Sequence, residues 1–167
     1  HPGEECPLNK GLLMDNLKGW ARLATQIYMY GYATNFAHFV YPFPDFYRLA
    51  ADIPMLQRNG VAGIYYESSH QGNGGESAEM RSYVMAKMFW NPAENMEQLV
   101  DEYMEAAYGK AARPMRAVFD LMHREVRFPP YGKGKHLWIF QAPWLPADVV
   151  EQARQLYAEA MGVAAND

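Results

Sequence analysis

The sequence predicts a helix-rich α/β chain, with two short strands set among helices in its first half and helices dominating its second. Three observations carry this. Residues 25–32 and 61–66 are compact β-branched and aromatic runs lying between segments of helical spacing. Each run ends at a turn or loop signal, Gly31-Tyr32 in one case and Glu67 with a glycine-rich stretch in the other. After Pro92 the apolar spacing is mostly that of helices. Helix, strand, helix, strand, helix is the order of βα units in a parallel sheet. With 167 residues, half of them hydrophobic, one well-buried domain is expected. Two parallel strands alone leave open edges, and a complete (β/α)8 barrel takes about 250 residues. The residues therefore leave two architectures open: a small α/β domain, or the tail of a barrel whose other strands lie elsewhere.

In chain order, residues 9–24 place Leu12, Leu13, Asn16, Leu17, Trp20 and Leu23 at helical spacing, an expected apolar stripe. The strand at 25–32 follows. Residues 34–45, with Phe36, His38, Phe39, Tyr41, Pro42, Phe43 and Pro44, are too broken for a regular element and predict a structured loop. A short helix is expected from Asp52 as N-cap, with Pro54 in its first turn and Asn59-Gly60 closing it. The run 61–66 then has the look of a buried parallel strand. A helix over 77–90 should stop at Asn91-Pro92, because proline disfavours the helical conformation in the residue before it. Asn95 can cap a helix reaching Tyr108, with Gly109 at its end. A further helix over 111–127 meets Pro129-Pro130, and residues 131–146 predict a loop around the apolar run 137–140. A last helix, 146–161, carries Val149, Val150, Ala153, Leu156, Tyr157 and Ala160 on one side. No internal repeat or low-complexity tract is present.

Composition excludes several classes. Fifteen Lys and Arg against nineteen Asp and Glu give a net charge of −4. Nucleic-acid or anionic-membrane binding as the main activity is disfavoured, since both need a dominant basic field. The single cysteine, Cys6, cannot form an intrachain disulfide. No apolar run approaches the roughly 18 residues of a membrane span. The chain begins at His1 with no signal-peptide pattern, and reads as an internal segment, a processed product or a trimmed piece. The unusual quantity is the aromatic share, 14 %, with twelve Tyr and four Trp. Such rings fill cores, and when exposed they form platforms for sugars and bases.

Glu67 is the best catalytic candidate, because the carboxyl ends of parallel strands face the ligand crevice. A carboxylate there can act as acid, base or acceptor for hydroxyls; the bland alternative is a solvated loop carboxylate. At the end of the other strand, Tyr30, Tyr32 and Asn35 could hydrogen-bond sugar hydroxyls or an acetamido group while the rings stack. The loop Gln71-Gly72-Asn73-Gly74-Gly75-Glu76 lacks the Gly-Lys-Ser/Thr ending of a P-loop, and its glycines suit close approach to a polar ligand. Glu76 could touch that ligand, although a carboxylate at a helix start also simply suits the dipole, as it does for Glu79. Phe36, His38, Tyr41 and Phe43 read chiefly as loop packing. The five histidines show no paired metal spacing; His70 near Glu67 and Glu76 is the one arrangement that could bind an ion. No Gly-x-Ser-x-Gly elbow occurs, Cys6 has no local helper, and no cofactor is predicted. Five acids lie in 94–105 and seven Lys or Arg in 110–135, which predicts two solvated faces that attract one another.

Several motifs recur in one order. Cys6-Pro7-Leu8-Asn9, Trp20, Thr34-Asn35-Phe36, Tyr41-Pro42-Phe43-Pro44 and Asn59-Gly60-Val61-Ala62-Gly63-Ile64-Tyr65-Tyr66-Glu67 lead. Gly74-Gly75-Glu76-Ser77-Ala78-Glu79-Met80-Arg81, Phe89-Trp90-Asn91-Pro92 and Tyr108-Gly109 follow. In this order the chain resembles bacterial proteins of domain-of-unknown-function family 4838, over about residues 1–160. That family resembles (β/α)8 glycoside hydrolases and includes glycoside hydrolase family 163, endo-β-N-acetylglucosaminidases acting on complex N-glycans. The resemblance implies that residues 1–92 are the last two βα units of a TIM-type barrel and 93–167 a helical region after it. It implies a secreted or periplasmic protein, a glycan partner, no nucleic acid, and a remainder of the barrel elsewhere. The acid/base pair would lie outside this chain, with Tyr30, Tyr32, Asn35 and Glu67 holding the sugar. Family members often read Trp-Asp-Tyr where this chain has Tyr30-Gly31-Tyr32. A non-catalytic carbohydrate-binding module and a helical interaction domain are the alternatives. The second of these expects Tyr30, Tyr32 and Glu67 buried and far apart.

Overall fold

A computed structural model describes residues 10–69, 74–127 and 145–165. A π-type turn, Lys10–Met14, leads into helix α1 (Asp15–Trp20), followed by strand β1 (Ile27–Tyr32) and helix α2 (Phe46–Arg58). Strand β2 (Val61–Glu67), helix α3 (Ala78–Trp90) and helix α4 (Met96–Tyr108) come next. A 3-10 turn, Gly109–Ala111, joins α4 to α5 (Ala112–Arg127), and α6 (Ala147–Ala164) completes the described chain. The architecture is helix-rich α/β with a small two-stranded parallel sheet, β1 beside β2.

The strands and most helix ends lie where local chemistry puts them. Asn95 caps α4 by accepting from the backbone N–H of Glu97 at 2.9 Å and Gln98 at 3.3 Å. Gly109 ends the helix at φ +50°, a conformation that L side chains rarely adopt. Asn91-Pro92 closes α3 as expected. Residues 34–45 form no regular element.

Helix α2 departs from expectation. It begins at Phe46 rather than near Asp52, so Pro54 lies inside it rather than in its first turn. Proline in a helix interior costs about 3 kcal/mol. The cost is offset by the buried stripe Phe46, Leu49, Ile53 and Leu56, whose spacing commits both halves of the helix to one core. Asp52 is no cap; it pairs with Arg48 one turn back at 3.0 Å.

The first helix is also shorter than the predicted 9–24. The wide turn at Lys10–Met14 rotates the helical phase, so Met14 and Leu17 are buried while Leu12, Trp20 and Leu23 stay exposed. In α6, Val149, Ala153 and Ala160 are buried, whereas the flanking Val150 and Tyr157 lie open. The predicted loop 131–146, up to residue 144, falls outside the described residues.

One apolar cluster joins four helices: Phe46 and Ile53 of α2, Met80 and Val84 of α3, Leu99 and Val100 of α4, and Phe119 of α5. A second packs Met14, Leu17, Met55 and Leu56 against Val61 and the inner side of the sheet at Ile27, Met29 and Ile64. The segregated charges do meet: Arg116 of α5 pairs with Glu97 and Asp101 of α4, and with Asp120 at 3.1 Å.

Beside the main cluster, His123 is 2 % exposed and its ring stacks on Phe119 with centroids 3.9 Å apart. Nδ1 lies 2.8 Å from the Phe119 carbonyl, to which it donates when the ring is neutral. Burial, the dominant cause, pushes its pKa down to about 4. The unfolded chain binds this proton from about pH 6.5, the folded chain only near pH 4. The neutral ring's contribution is therefore complete above pH 6.5 and lost as the pH falls from there to 4, a loss of up to about 3 kcal/mol. In His123→Phe, urea midpoints measured at pH 7 and pH 4 should differ by less than in the parent chain.

Candidate functional site

Strand alternation divides the sheet into two unlike faces. On the helix-covered side, Met29 pairs with Ile64 and Gly31 with Tyr66. On the other, Tyr28 pairs with Gly63, Tyr30 with Tyr65 and Tyr32 with Glu67. No described element covers this second face. Tyr28 is 71 % exposed, Tyr30 55 %, Tyr32 42 % and Tyr65 60 %. Thus β2 is parallel, as expected, but half-buried rather than buried, because among the described residues helices cover only one side of it.

At the carboxyl ends of the strands, the Tyr30 hydroxyl donates to Glu67 Oε2. That bond is the first cause holding the Tyr30 phenol up at about 12, so it remains a protonated donor at neutral pH. The Tyr30 ring lies 5.1 Å from Tyr65 and 5.5 Å from Tyr32, and Phe36 continues the row 5.5 Å beyond Tyr32. Such edge-to-face and tilted contacts leave ring faces available for stacking, while a carboxylate beside them accepts hydroxyl protons.

Of the predicted set, the structure thus brings Tyr30, Tyr32 and Glu67 together. Asn35 is 3 % exposed, and its Oδ1 accepts from the Ala37 N–H at 3.0 Å in the loop after β1. Glu76 accepts from Arg81 Nη2 at 2.7 Å and from the Phe43 N–H at 3.4 Å, which ties the start of α3 to the same loop. Cys6, His70, Gln71, Gly72 and Asn73 lie outside the described residues. Among those described, no group of three His, Cys, Asp or Glu side chains could hold a metal ion.

Three residues important here are not among the candidates drawn from the sequence. Arg81 is 1 % exposed; it pairs with Asp45 and donates to the Phe43 carbonyl at 3.1 Å. Its guanidinium sits 4.6 Å over the Phe46 ring. The available signal is a lone arginine on the apolar stripe formed with Val84, Met85 and Met88. Arg48 bridges Asp45 at 2.9 Å and the Tyr32 carbonyl at 3.2 Å, so the charged cluster reaches the end of β1. Tyr65 completes the ring row and follows from the period-two pattern Gly63, Tyr65, Glu67.

A parallel βαβ unit with an acceptor, a donor and exposed rings at its strand ends marks the chain as a helix-rich α/β protein. The chain belongs to the family described as Domain of unknown function (DUF4838), which it matches over residues 4–120. No curated protein and no solved structure matches it. No helix among the described residues is long and apolar enough to cross a membrane.

Two substitutions test this scaffold. Arg81→Met should lower stability by about 3–5 kcal/mol in urea unfolding, because Asp45, 5 % exposed, is then left as a buried charge without its main partner. A Cβ at Gly31 would lie well inside contact distance of the Tyr66 ring, itself stacked on Phe89 with centroids 5.9 Å apart. Gly31→Ala should therefore cost about 1–3 kcal/mol, and most of that cost should vanish in a Tyr66→Ala background.

Proposed function

We propose that this chain is the closing part of a (β/α)8 glycoside hydrolase acting on N-acetylhexosamine-containing glycans. Residues 1–92 contribute the last two βα units, residues 93–167 the helical region after them, and Tyr30, Tyr32 and Glu67 hold the sugar. The observation that carries this reading is the Tyr30–Glu67 hydrogen bond at the carboxyl ends of two parallel strands, beside a row of exposed rings. In a closed barrel the sheet face turned away from the helices becomes the interior, and the carboxyl ends of the strands form the mouth. Tyr28 and Tyr65 then belong to the barrel lining, and Tyr32 and Glu67 to the mouth.

Glu67 accepts two sugar hydroxyls, or one hydroxyl and an acetamido N–H, with its rotamer fixed by the Tyr30 phenol. Cleavage itself needs two carboxyl groups about the sugar, or one together with the substrate's acetamide. Those carboxyl groups belong to strands outside this chain, so the isolated segment binds without cleaving. Asn35 and Glu76 support the loops beneath the sugar. The enzyme acts outside the cytoplasm, secreted or periplasmic.

A second reading, a non-catalytic carbohydrate-binding module, draws on the ring row from Tyr65 through Tyr30 and Tyr32 to Phe36, which needs no further strand to stack a sugar. The helical interaction domain loses its support, since Tyr30, Tyr32 and Glu67 are adjacent and Tyr30 and Tyr32 are exposed. Glu67→Gln in the full-length enzyme should cut turnover of a complex N-glycan at least about tenfold. Near-parental kinetics would sink the hydrolase role of Glu67, and glycan binding with no cleavage by the full-length protein would select the module.

A further inference from the structure

Away from the sheet, the helices enclose a recess of different chemistry. A cavity of about 310 Å³ lies among helices α3, α4, α5 and α6 and the loop at Val40 and Pro42. That size suits a small ligand. Tyr103, Tyr108 and Tyr157 contribute to its lining, together with four methionines and the carboxylates of Glu76 and Glu79. The Tyr103 and Tyr108 rings stand 6.4 Å apart at 73°, two walls meeting nearly at right angles.

Among the described residues that line this recess, the charge is one-sided. No Lys or Arg is among the described residues that line it. Glu76 is already engaged by Arg81. Glu79 has neither an ion pair nor a hydrogen bond among the described residues, and it lies close enough to act on the Tyr103 phenol. His123 also lines the cavity and adds no positive charge at neutral pH, because burial holds its pKa near 4. Its Nε2 has no hydrogen-bond partner among the described residues. Burial first, then Tyr108 and Glu79, raises the Tyr103 phenol; burial first, then Glu76 and Tyr108, raises that of Tyr157. Both rings therefore stay neutral and keep the electron-rich faces that attract cations.

We propose that this cavity is a cage for a small alkylated ammonium group, with its methyl groups against Tyr103, Tyr108 and Tyr157 and its charge balanced by Glu79. Aromatic faces bind such cations because methylation spreads the charge over a weakly hydrated surface that leaves water readily. The methionine side chains supply a polarizable, adaptable lining for the rest of the ligand. Among the described lining residues an anion would find no Lys or Arg and would meet the Glu79 carboxylate. The cage does not rest on the glycan reading, since Tyr103, Tyr108, Tyr157 and Glu79 all lie off the sheet.

The test uses choline and its neutral carbon analogue, 3,3-dimethylbutan-1-ol, which share shape and hydroxyl and differ in charge. Each is titrated into the 167-residue chain while the methionine methyl signals are followed by NMR. Choline should shift the signals of the lining methionines saturably and bind at least about fivefold more tightly than the alcohol. Glu79→Gln and Tyr108→Leu should each bring choline affinity down to about that of the alcohol. Both positions are exposed, so the remaining methyl signals should report an intact fold in both variants. Asp15→Asn, on α1, should bind choline as the parent does. Equal binding of the two probes, unmoved methionine signals, or full choline affinity in Glu79→Gln would overturn the cage.

Discussion

The buried Arg81 guanidinium holds together parts of the chain that would otherwise be independent. Its donors reach Asp45 just before α2, Glu76 just before α3 and the carbonyl of Phe43 in the loop after β1. Asp45 is shared with Arg48, which also holds the carbonyl of Tyr32, the last residue of β1. A continuous set of charged hydrogen bonds thus runs from α3 to the end of a strand. A buried ion cluster of this kind adds little net stability over an apolar replacement. What it supplies is geometry: planar guanidinium donors accept only a narrow set of partner positions. The broken segment between β1 and α2, rich in aromatics and prolines, is positioned by these bonds rather than by any repeating backbone pattern.

That cluster reaches the end of β1, and among the described residues the sheet is covered on one side only. Helical side chains bury Met29, Ile64 and Val61 to differing degrees, while Tyr28, Tyr30, Tyr32 and Tyr65 look outward. The described aromatics thus serve different ends, two of which stand out. Phe46 and Phe119 belong to the helical core, where they also pack against His123. The tyrosines of the strands form an open row with a carboxylate at its end. Among the described residues no further strand flanks these two and nothing covers their aromatic face; the proposed barrel would complete such a sheet. The same rings are usable as they stand for stacking, which is why a binding module remains the natural competitor.

Much of the fold was legible locally. The strands, the cap at Asn95, the stop at Asn91-Pro92 and the turn at Gly109 each depend on a few neighbouring residues. Helix α2 was not, because Pro54 is a strong local signal for a helix start and only the joint burial of Phe46 and Ile53 in one cluster overrides it. The first helix failed for a related reason: a single wide turn shifts the phase on which any periodicity count rests. At the candidate site, Tyr30 and Tyr32 share a face by alternation alone. Their meeting with Glu67 needed the register of the two strands, which no local pattern encodes.

By itself, the sequence determined the types and order of most elements, the absence of a basic field, and the presence of polar and aromatic groups at two strand ends. These follow from short-range rules of backbone conformation, side-chain periodicity and charge. Tertiary structure alone decided that Asn35 and Glu76 serve the loops while Tyr30, Tyr32 and Glu67 face outward together. It also decided that an arginine within an apolar stripe becomes the buried centre of a charge cluster, and that three tyrosines from two distant helices gather around one cavity. The reason is common to all of these. Each depends on which surfaces meet, and a side chain's partner across a sheet or between helices is set by packing of the whole rather than by its neighbours in the chain.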